Sequence, residues 1–506
     1  MILDVLLIGL NHFFTLNNFI AALSGCFLGM IFGALPGFTA SMGVAILLPV
    51  TYGLSPDTGL VLLASVYVGA MYGGSIPAIL MHTPGTPGAA ATILDGYPMA
   101  QKGQAATAIV TSATSSAVGS FLAGLVLVVT GPILSFYAAR ISPAEIFLVS
   151  MLGIIVLGNL AGSDPIKGFL GGITGLLLGT VGADFVIGYN RFTFGFYQLY
   201  EGIPLVPALV GLLALSECFV MVQHKSGEIL ATQQVKFTLK GVLVDIWEVI
   251  GKRFGEVIRA SAIGAGIGFV PGEGAAVANF VAYDQAKRAS RNPKLFGTGI
   301  REGVIASEAS NNAVVPMALL PALALGIPGS STAALILSGV MMHGLRPGPG
   351  VFERSPEVMG TFLVGLLASS LLIVLIGIII VGPACQVAKV DCSVLAGVIL
   401  VLAVIGVYAV RNSFFDVGVM LVFGLLGYAL KYCGCPPVTA VVGFVLGPIC
   451  EKSFTTAISV SGGSAAIFFF RPVAAVLWVI IIFSLFLPRL MSQRQKNATK
   501  ENAEAL

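Results

Sequence analysis

The chain has 506 residues, with 26 Lys and Arg against 23 Asp and Glu, so 10% of it is charged and the net charge is +3. Soluble domains carry about 25% charged residues, whereas 57% of this chain is hydrophobic before its 63 Gly are counted, and the mean hydropathy is +0.97. A globule this apolar cannot cover its surface with polar groups, so the bilayer replaces water as the main solvent. The apolar runs exceed the roughly 9–11 residues of a barrel strand, and abundant Gly with scarce Lys and Glu suits close helix packing in lipid. The fold class is therefore an all-α polytopic integral membrane protein. No long basic block offers a site for nucleic acid, and seven Cys in this length do not make a disulfide framework.

In chain order, Met1–Leu10 holds Asp4 but no Lys or Arg. It lacks the basic start of a signal peptide and reads as a lead-in to the first span. Membrane segments are predicted at Phe19–Leu35 and Thr39–Val50, either side of Pro36-Gly37, and at Gly59–Leu80. A Pro/Gly/Thr-rich interruption precedes Ala105–Thr130, Ala144–Leu160, Ile166–Val186 and Ile203–Val222. The polar stretch Gln223–Arg259 leads to Ala260–Ala282, broken at Pro271-Gly272, and to Gly303–Leu325. After a second Pro/Gly/Ser interruption come Ala333–Met342, Met359–Val381, Leu395–Val410, Phe414–Leu430, Pro436–Ile449 and Phe468–Leu487.

Positive charge orients the chain. Lys225, Lys236, Lys240, Lys252, Arg253 and Arg259 lie in one loop, and Lys287, Arg288, Arg291, Lys294 and Arg301 in a second. Arg489, Arg494, Lys496 and Lys500 lie in the tail. All three are expected on the cytoplasmic side. Two of them bracket Ala260–Ala282, which then enters and returns as a re-entrant hairpin turning at Pro271-Gly272; the alternative is one kinked span. The organisation is a first half over 1–222, a basic cytoplasmic connector over 223–259, a second half over 260–487 and a cytoplasmic C-terminal tail over 488–506.

Self-comparison supplies the strongest signal. Pro77-Ala-Ile-Leu-Met-His-Thr-Pro-Gly85 aligns with Pro321-Ala-Leu-Ala-Leu-Gly-Ile-Pro-Gly329, an offset of 244. Upstream, Gly33-Ala-Leu-Pro-Gly37 aligns with Gly268-Phe-Val-Pro-Gly272, an offset of 235. Two ordered pairs point to two pseudo-repeats with Pro-Gly-broken helices, the arrangement of an inverted-repeat secondary transporter. A helix broken in the membrane frees N–H groups at one end, which attract a carboxylate, and C=O groups at the other, which suit a cation. The substrate-binding candidates are Pro36, Gly37, Thr83, Pro84, Gly85, Thr86 and Gly88 in the first half. In the second they are Pro271, Gly272, Pro328, Gly329, Ser330, Ser331 and Thr332. Val substituted at Gly85 or Gly329 is expected to abolish uptake, since Val tolerates neither positive φ nor close backbone approach.

Ser307-Glu308-Ala309-Ser310-Asn311-Asn312 falls inside an apolar segment, where polar groups facing lipid are costly. Ser310, Asn311 and Asn312 join the substrate set, against an alternative in which the run merely caps a helix end. Gly37, Gly272, Glu273 and Asn312 are the coupling-ion candidates; Glu273 reads equally as a group at a water-accessible tip. Asp57, Asp95, Asp164, Asp184 and Asp391 read as solvated or capping, and nothing in the sequence pairs Glu145 or Glu217. His12, His82, His224 and His343 lack metal-ligand spacing, so no metal site is expected. ATP-binding and hydrolase motifs are absent from the sequence, and no cofactor or catalytic residue is expected.

Gly33-Ala34-Leu35-Pro36-Gly37, Tyr72-Gly73-Gly74-Ser75-Ile76, His82-Thr83-Pro84-Gly85-Thr86-Pro87-Gly88 and Asp95-Gly96-Tyr97-Pro98 resemble the large membrane subunit of tripartite tricarboxylate transporters. So do Val270-Pro271-Gly272-Glu273-Gly274, Ser307-Glu308-Ala309-Ser310-Asn311-Asn312-Ala313 and Gly326-Ile327-Pro328-Gly329-Ser330. The resemblance covers nearly the whole chain in order. It implies the translocation subunit of a bacterial inner-membrane importer for citrate or related carboxylates, driven by Na⁺ (or H⁺). The implied partners are a small four-span membrane subunit, a periplasmic solute-binding protein, the carboxylate substrate and membrane lipid. Two other classes stand beside it: a passive anion channel, and an intramembrane hydrolase, for which Ser75 and His82 lie too far apart on one helix to pair.

Overall fold

The computed structural model describes residues 2–35, 38–138, 140–160, 165–184, 188–223, 235–270, 274–387 and 390–482. In chain order the helices are α1 (Ile2–Phe13), α2 (Leu16–Ala34), α3 (Ala40–Leu47), α4 (Pro56–Gly73), α5 (Ser75–Met81), α6 (Ile93–Gln101) and α7 (Ala105–Ala138). They continue as α8 (Pro143–Leu160), α9 (Pro165–Gly179), α10 (Leu205–Val210), α11 (Ser216–Gln223), α12 (Leu239–Trp247), α13 (Phe254–Phe269) and α14 (Gly274–Ala289). The remainder are α15 (Arg301–Leu325), α16 (Ser331–Met342), α17 (Val351–Arg354), α18 (Pro356–Ile379), α19 (Val381–Val387), α20 (Cys392–Arg411), α21 (Phe414–Tyr432), α22 (Pro437–Val460) and α23 (472–482). Among the described residues, eight helical stretches are long and apolar enough to cross a bilayer. The protein is a helical, multi-pass membrane protein.

The segment after α8 departs from the sequence reading. Ile166–Val186 does not stay helical: α9 ends at Gly179, and Gly182-Ala183 pairs antiparallel with Asn190-Arg191. Gly182 has φ +118, a left-handed value that ends a helix readily. Ala260–Ala282 falls in two helices flanking Pro271-Gly272, where the sequence reading places the break. α13 and α14 pack on each other and both pack on α15, while Pro271, Gly272 and Glu273 between them lie outside the described residues.

The chain forms two compact units, Met1–Ala139 with Leu205–Tyr428, and Arg140–Pro204 with Ala429–Leu506. Both sequence halves contribute to each. In the first unit α2 packs along α4 through glycines. A Cβ on Gly25, Gly29 or Gly33 would meet the backbone of Leu62, Val66 or Ala70, and one on Gly69 or Gly73 would meet that of Cys26 or Met30. With little hydrophobic driving force between helices in lipid, such close approach supplies the dispersion contact that holds them. α13 packs on α15 the same way, Gly264 against Ser310 and Gly268 against Val314. These contacts carry the offsets of the sequence motifs, 235 for the glycines and 244 for their partners. α1 is more than a lead-in: it lies on α18, with the Gly9 and Gly360 backbones in contact.

In the second unit α9 and α22 share a similar seam, Gly175 against Ala440 and Gly443 against Gly172. Arg191 pairs with Glu451 and Asp184. Glu145, unpaired in the sequence reading, accepts from the Ser142 N–H (2.7 Å) and ion-pairs with Arg471 at 3.7 Å.

Asp95 corrects another expectation. Instead of being solvated, it is fully buried in the first unit. Its Oδ1 accepts from the N–H groups of Gly297 (3.0 Å), Gly299 (2.7 Å) and Ile300 (3.0 Å), and its Oδ2 from the Tyr283 hydroxyl (2.9 Å). The carboxylate on α6 thus satisfies the turn that opens α15, 200 residues away, where helix N–H groups lack partners. Hydrogen bonds to a charged group are worth about 1.5–3 kcal/mol each. Asp95→Ala is therefore expected to lower the thermal-unfolding midpoint in detergent sharply, and Asp95→Asn, which keeps an acceptor, to fall between Ala and the parent. Equal midpoints for all three would show that this carboxylate does not tie α6 to α15.

Candidate functional site

Where both are described, the helix ends flanking the breaks have matching backbone geometry. α2 ends at Leu35 (φ −78°, ψ 121°), whose N–H reaches the Phe32 carbonyl, and α13 ends at Val270 (φ −79°, ψ 123°), whose N–H reaches Ile267. α5 closes on His82 (φ 57°) and α15 on Gly326 (φ 77°), both left-handed. The next N–H in each case bonds back to a proline carbonyl, Thr83 to Pro77 (3.4 Å) and Ile327 to Pro321 (3.2 Å). Thr86 and Ser330 then occupy the N-cap of the helical turn that follows. The positive φ thus falls at His82 and Gly326. Gly85 and Gly329 are required for another reason: a Cβ on Gly85 would overlap the Gly33 carbonyl, and one on Gly329 would lie 2.9 Å from the Ala318 carbonyl oxygen.

Both breaks lie beside the crossing of α4 and α15. Ser307, Glu308, Ser310, Asn311 and Asn312 are wholly buried, and α4 and α5 are buried from Thr58 to Met81. Glu308, Asn311 and Asn312, spaced i, i+3, i+4, share one face of α15. The Asn311 side-chain N–H donates to the Met71 carbonyl (3.1 Å) and that of Asn312 to Val68 (3.4 Å). Val68 and Asn312 are themselves 244 apart, so α4 and α15 cross where one position meets its own counterpart.

Around the first break, Asn279 of α14 donates to the carbonyls of Gly88 (2.5 Å) and Pro87 (3.2 Å), and the Asn311 Oδ1 lies where a Gly88 Cβ would be. The Oδ1 atoms of Asn279, Asn311 and Asn312 and the Oγ1 of Thr86 are buried without a hydrogen-bond partner. At the second break Ser330 caps α16, accepting from the Ala333 N–H at 3.1 Å, and its hydroxyl lies 3.4 Å from that of Tyr67. This break therefore offers the open N–H groups and hydroxyls of a helix start, the first a set of bare oxygens.

Of the residues singled out from the sequence, Gly88 and Asn311 meet, Thr86 and Asn312 lie next to them along the chain, and Ser330 lies beside Tyr67 of α4. Gly85, Pro328, Gly329 and Thr332 are buried in the breaks; Ser331 is half-buried and opens α16. Thr83 is exposed and turned back onto the Met81 carbonyl (3.2 Å), and Pro84 is half-buried. Pro36, Gly37, Pro271, Gly272 and Glu273 lie outside the described residues. The sequence reading missed Asn279, Tyr67 and the groups around Glu308. Thr92 and Ser116 donate to the two Glu308 oxygens, the latter at 2.8 Å, and Ser112 donates to Ser75 at 3.0 Å. The available signal was the run Thr111-Ser112-Ala113-Thr114-Ser115-Ser116 in an otherwise apolar helix.

No solved structure matches this chain. Two proteins of Agrobacterium vitis do, each described only as uncharacterized. One, a 52.8 kDa protein from the TAR-I ttuC' 3' region, is 35% identical over 502 residues, 98% of either chain. The other, from the TAR-II ttuC' 3' region, is 34% identical over 236 residues, 46% of this chain and 98% of its own. The family model described as tripartite tricarboxylate transporter TctA matches residues 19–442, a span that takes in both broken segments and the whole α4–α15 crossing. With the broken helices, the buried polar face and that match in agreement, the chain belongs to the tripartite tricarboxylate transporter TctA family.

Proposed function

We propose that this chain is the translocation subunit of an ion-coupled secondary importer for tricarboxylates or related carboxylates. It would work in a bacterial inner membrane with a periplasmic binding protein and a small four-span subunit. The two halves act as two copies of one unit, each contributing a re-entrant hairpin and a broken helix. The observation that carries this reading is the pair of similar breaks beside a wholly buried polar crossing.

Chemistry divides the task between the breaks. The start of α16 presents unpaired backbone N–H groups with the hydroxyls of Ser330, Ser331 and Thr332, a setting that attracts a carboxylate. The unpartnered oxygens of Asn279, Asn311 and Thr86 at the first break accept from a substrate hydroxyl or hold a cation. Neutral dipoles instead of Lys or Arg keep the anion from being trapped, so it can leave as readily as it enters.

Three results would test this reading. In proteoliposomes with both partner proteins, labelled citrate and a panel of dicarboxylates are expected to accumulate only with an inward Na⁺ gradient and the binding protein. Equilibration without either would make the chain a passive channel. Thr332→Val, which removes a hydroxyl at constant shape, is expected to raise the KM of uptake about tenfold, the equivalent of one hydrogen bond to a charged group. An unchanged KM would remove the α16 start from the substrate site. Gly329→Val, which forces the break away from Ala318, is expected to abolish uptake with insertion intact.

A further inference from the structure

The most unusual group in the first unit is Glu308. Its carboxyl is wholly buried, and among the described residues no Lys, Arg or His pairs with it. Its hydrogen-bond partners are hydroxyls: Thr92 on one oxygen and Ser116 on the other, with Ser112 and Ser75 also within reach. An isolated carboxylate taken out of water costs several kcal/mol, a cost that neutral hydroxyls only partly offset. A cation beside it removes the charge.

We infer that Glu308, with the hydroxyls of Thr92, Ser116, Ser112 and Ser75, forms a binding site for one dehydrated Na⁺. The inference rests on the ion-coupled reading above and names the group that carries the ion. Three features select the occupant. The donor set is all oxygen, which favours a hard cation over a soft transition metal. One carboxylate balances one positive charge, whereas a divalent ion would leave a net charge in the bilayer interior. A hydroxyl that donates to the carboxylate keeps lone pairs facing outward, so the cluster offers more oxygen ligands than a proton can use. Further hydroxyls on the same stretch of α7, those of Thr111, Thr114 and Ser115, are buried with no partner.

The position of the site explains how an ion would act on substrate. Ser75 opens α5 and Thr92 directly precedes α6, so these two hydroxyls stand at the two ends of the first broken segment. Asn311, one turn along the same face from Glu308, reaches Gly88 in the middle of that segment. An ion on Glu308 therefore fixes both ends of the break while Asn311 holds its centre, and a break so ordered binds substrate more tightly. By reciprocity, substrate tightens the ion. The charge is present in one half only: at the offset of 244, the positions equivalent to Glu308 and Thr92 carry Ala64 and Ile336.

The test is ²²Na⁺ binding to the purified full-length chain in detergent, with K⁺ and choline as competitors and size-exclusion profile as the check on folding. The parent is expected to bind ²²Na⁺ saturably and to be stabilised against heat by Na⁺ alone. Glu308→Gln, which keeps shape and hydrogen bonding but not charge, is expected to weaken binding at least tenfold, and Thr92→Val and Ser116→Ala several-fold. Undiminished ²²Na⁺ binding by a well-folded Glu308→Gln overturns the assignment. So does a parent that binds no Na⁺ but takes up one proton that the Gln variant does not, since the occupant is then H⁺. Na⁺ binding lost in Glu308→Gln, in a protein that never accumulates carboxylate, would keep this site and sink the importer. Na⁺-driven uptake equal in Glu308→Gln and parent would do the reverse.

Discussion

Everything in the first unit follows from placing Glu308, Asn311 and Asn312 on a helix with no aqueous face. Polar groups at bilayer depth are tolerated only inside protein or beside a watery cavity, so α15 is enclosed by α4, α7, α13 and α14. Glycine makes such enclosure possible. Gly264 and Gly268 bring α13 against the α15 backbone, and Gly119 brings α7 against Ala309, one residue beyond Glu308. That approach lets side chains as short as Ser112 and Ser116 reach across to the α5 and α15 hydroxyl and carboxyl groups. Larger residues at the seams would hold the helices apart and leave the carboxyl without donors.

Much of this architecture is legible in the sequence, because Pro and Gly act locally. Pro-Gly pairs mark where helices stop, and the offsets of 235 and 244 that link them recur in the glycine seams, the helix ends and the left-handed caps. The run from Ser307 to Asn312 is legible for the same reason, since six adjacent positions in an apolar segment stand out. Span boundaries are less exact. Ile166–Val186 looked like one span because Val181 to Val186 is nearly as apolar as the helix before it, yet a strand pair begins within it.

The remainder is illegible because it depends on partners far apart in the chain. Asp95 looked like a helix-end residue, and it does serve a helix end, but that of α15 rather than its own. Thr92 and Ser116 meet Glu308 across 216 and 192 residues, and single Ser or Thr residues in apolar helices usually bond their own preceding turn, as Ser65 and Ser338 do here. Asn279 in α14 gave no local cue at all. The left-handed cap at His82 is a different kind of miss. Gly85 nearby was the natural candidate for positive φ, but close packing on Gly33 requires glycine there instead.

The same offsets also separate what the two halves share from what they do not. Backbone geometry is shared: the caps, the returns to Pro77 and Pro321, and the close approaches at Gly85 and Gly329. Side-chain chemistry is not. The first break is lined by amide and hydroxyl oxygens, the second by a helix start and Tyr67; of the buried carboxylates, Glu308 of α15 meets Thr92 beside the first break and Asp95 ties α6 to the start of α15. In the proposed importer, similar backbones with unequal linings would let a cation stabilise the first break and an anion the second. A shared scaffold with a single-copy charge would then couple two solutes without a second binding domain.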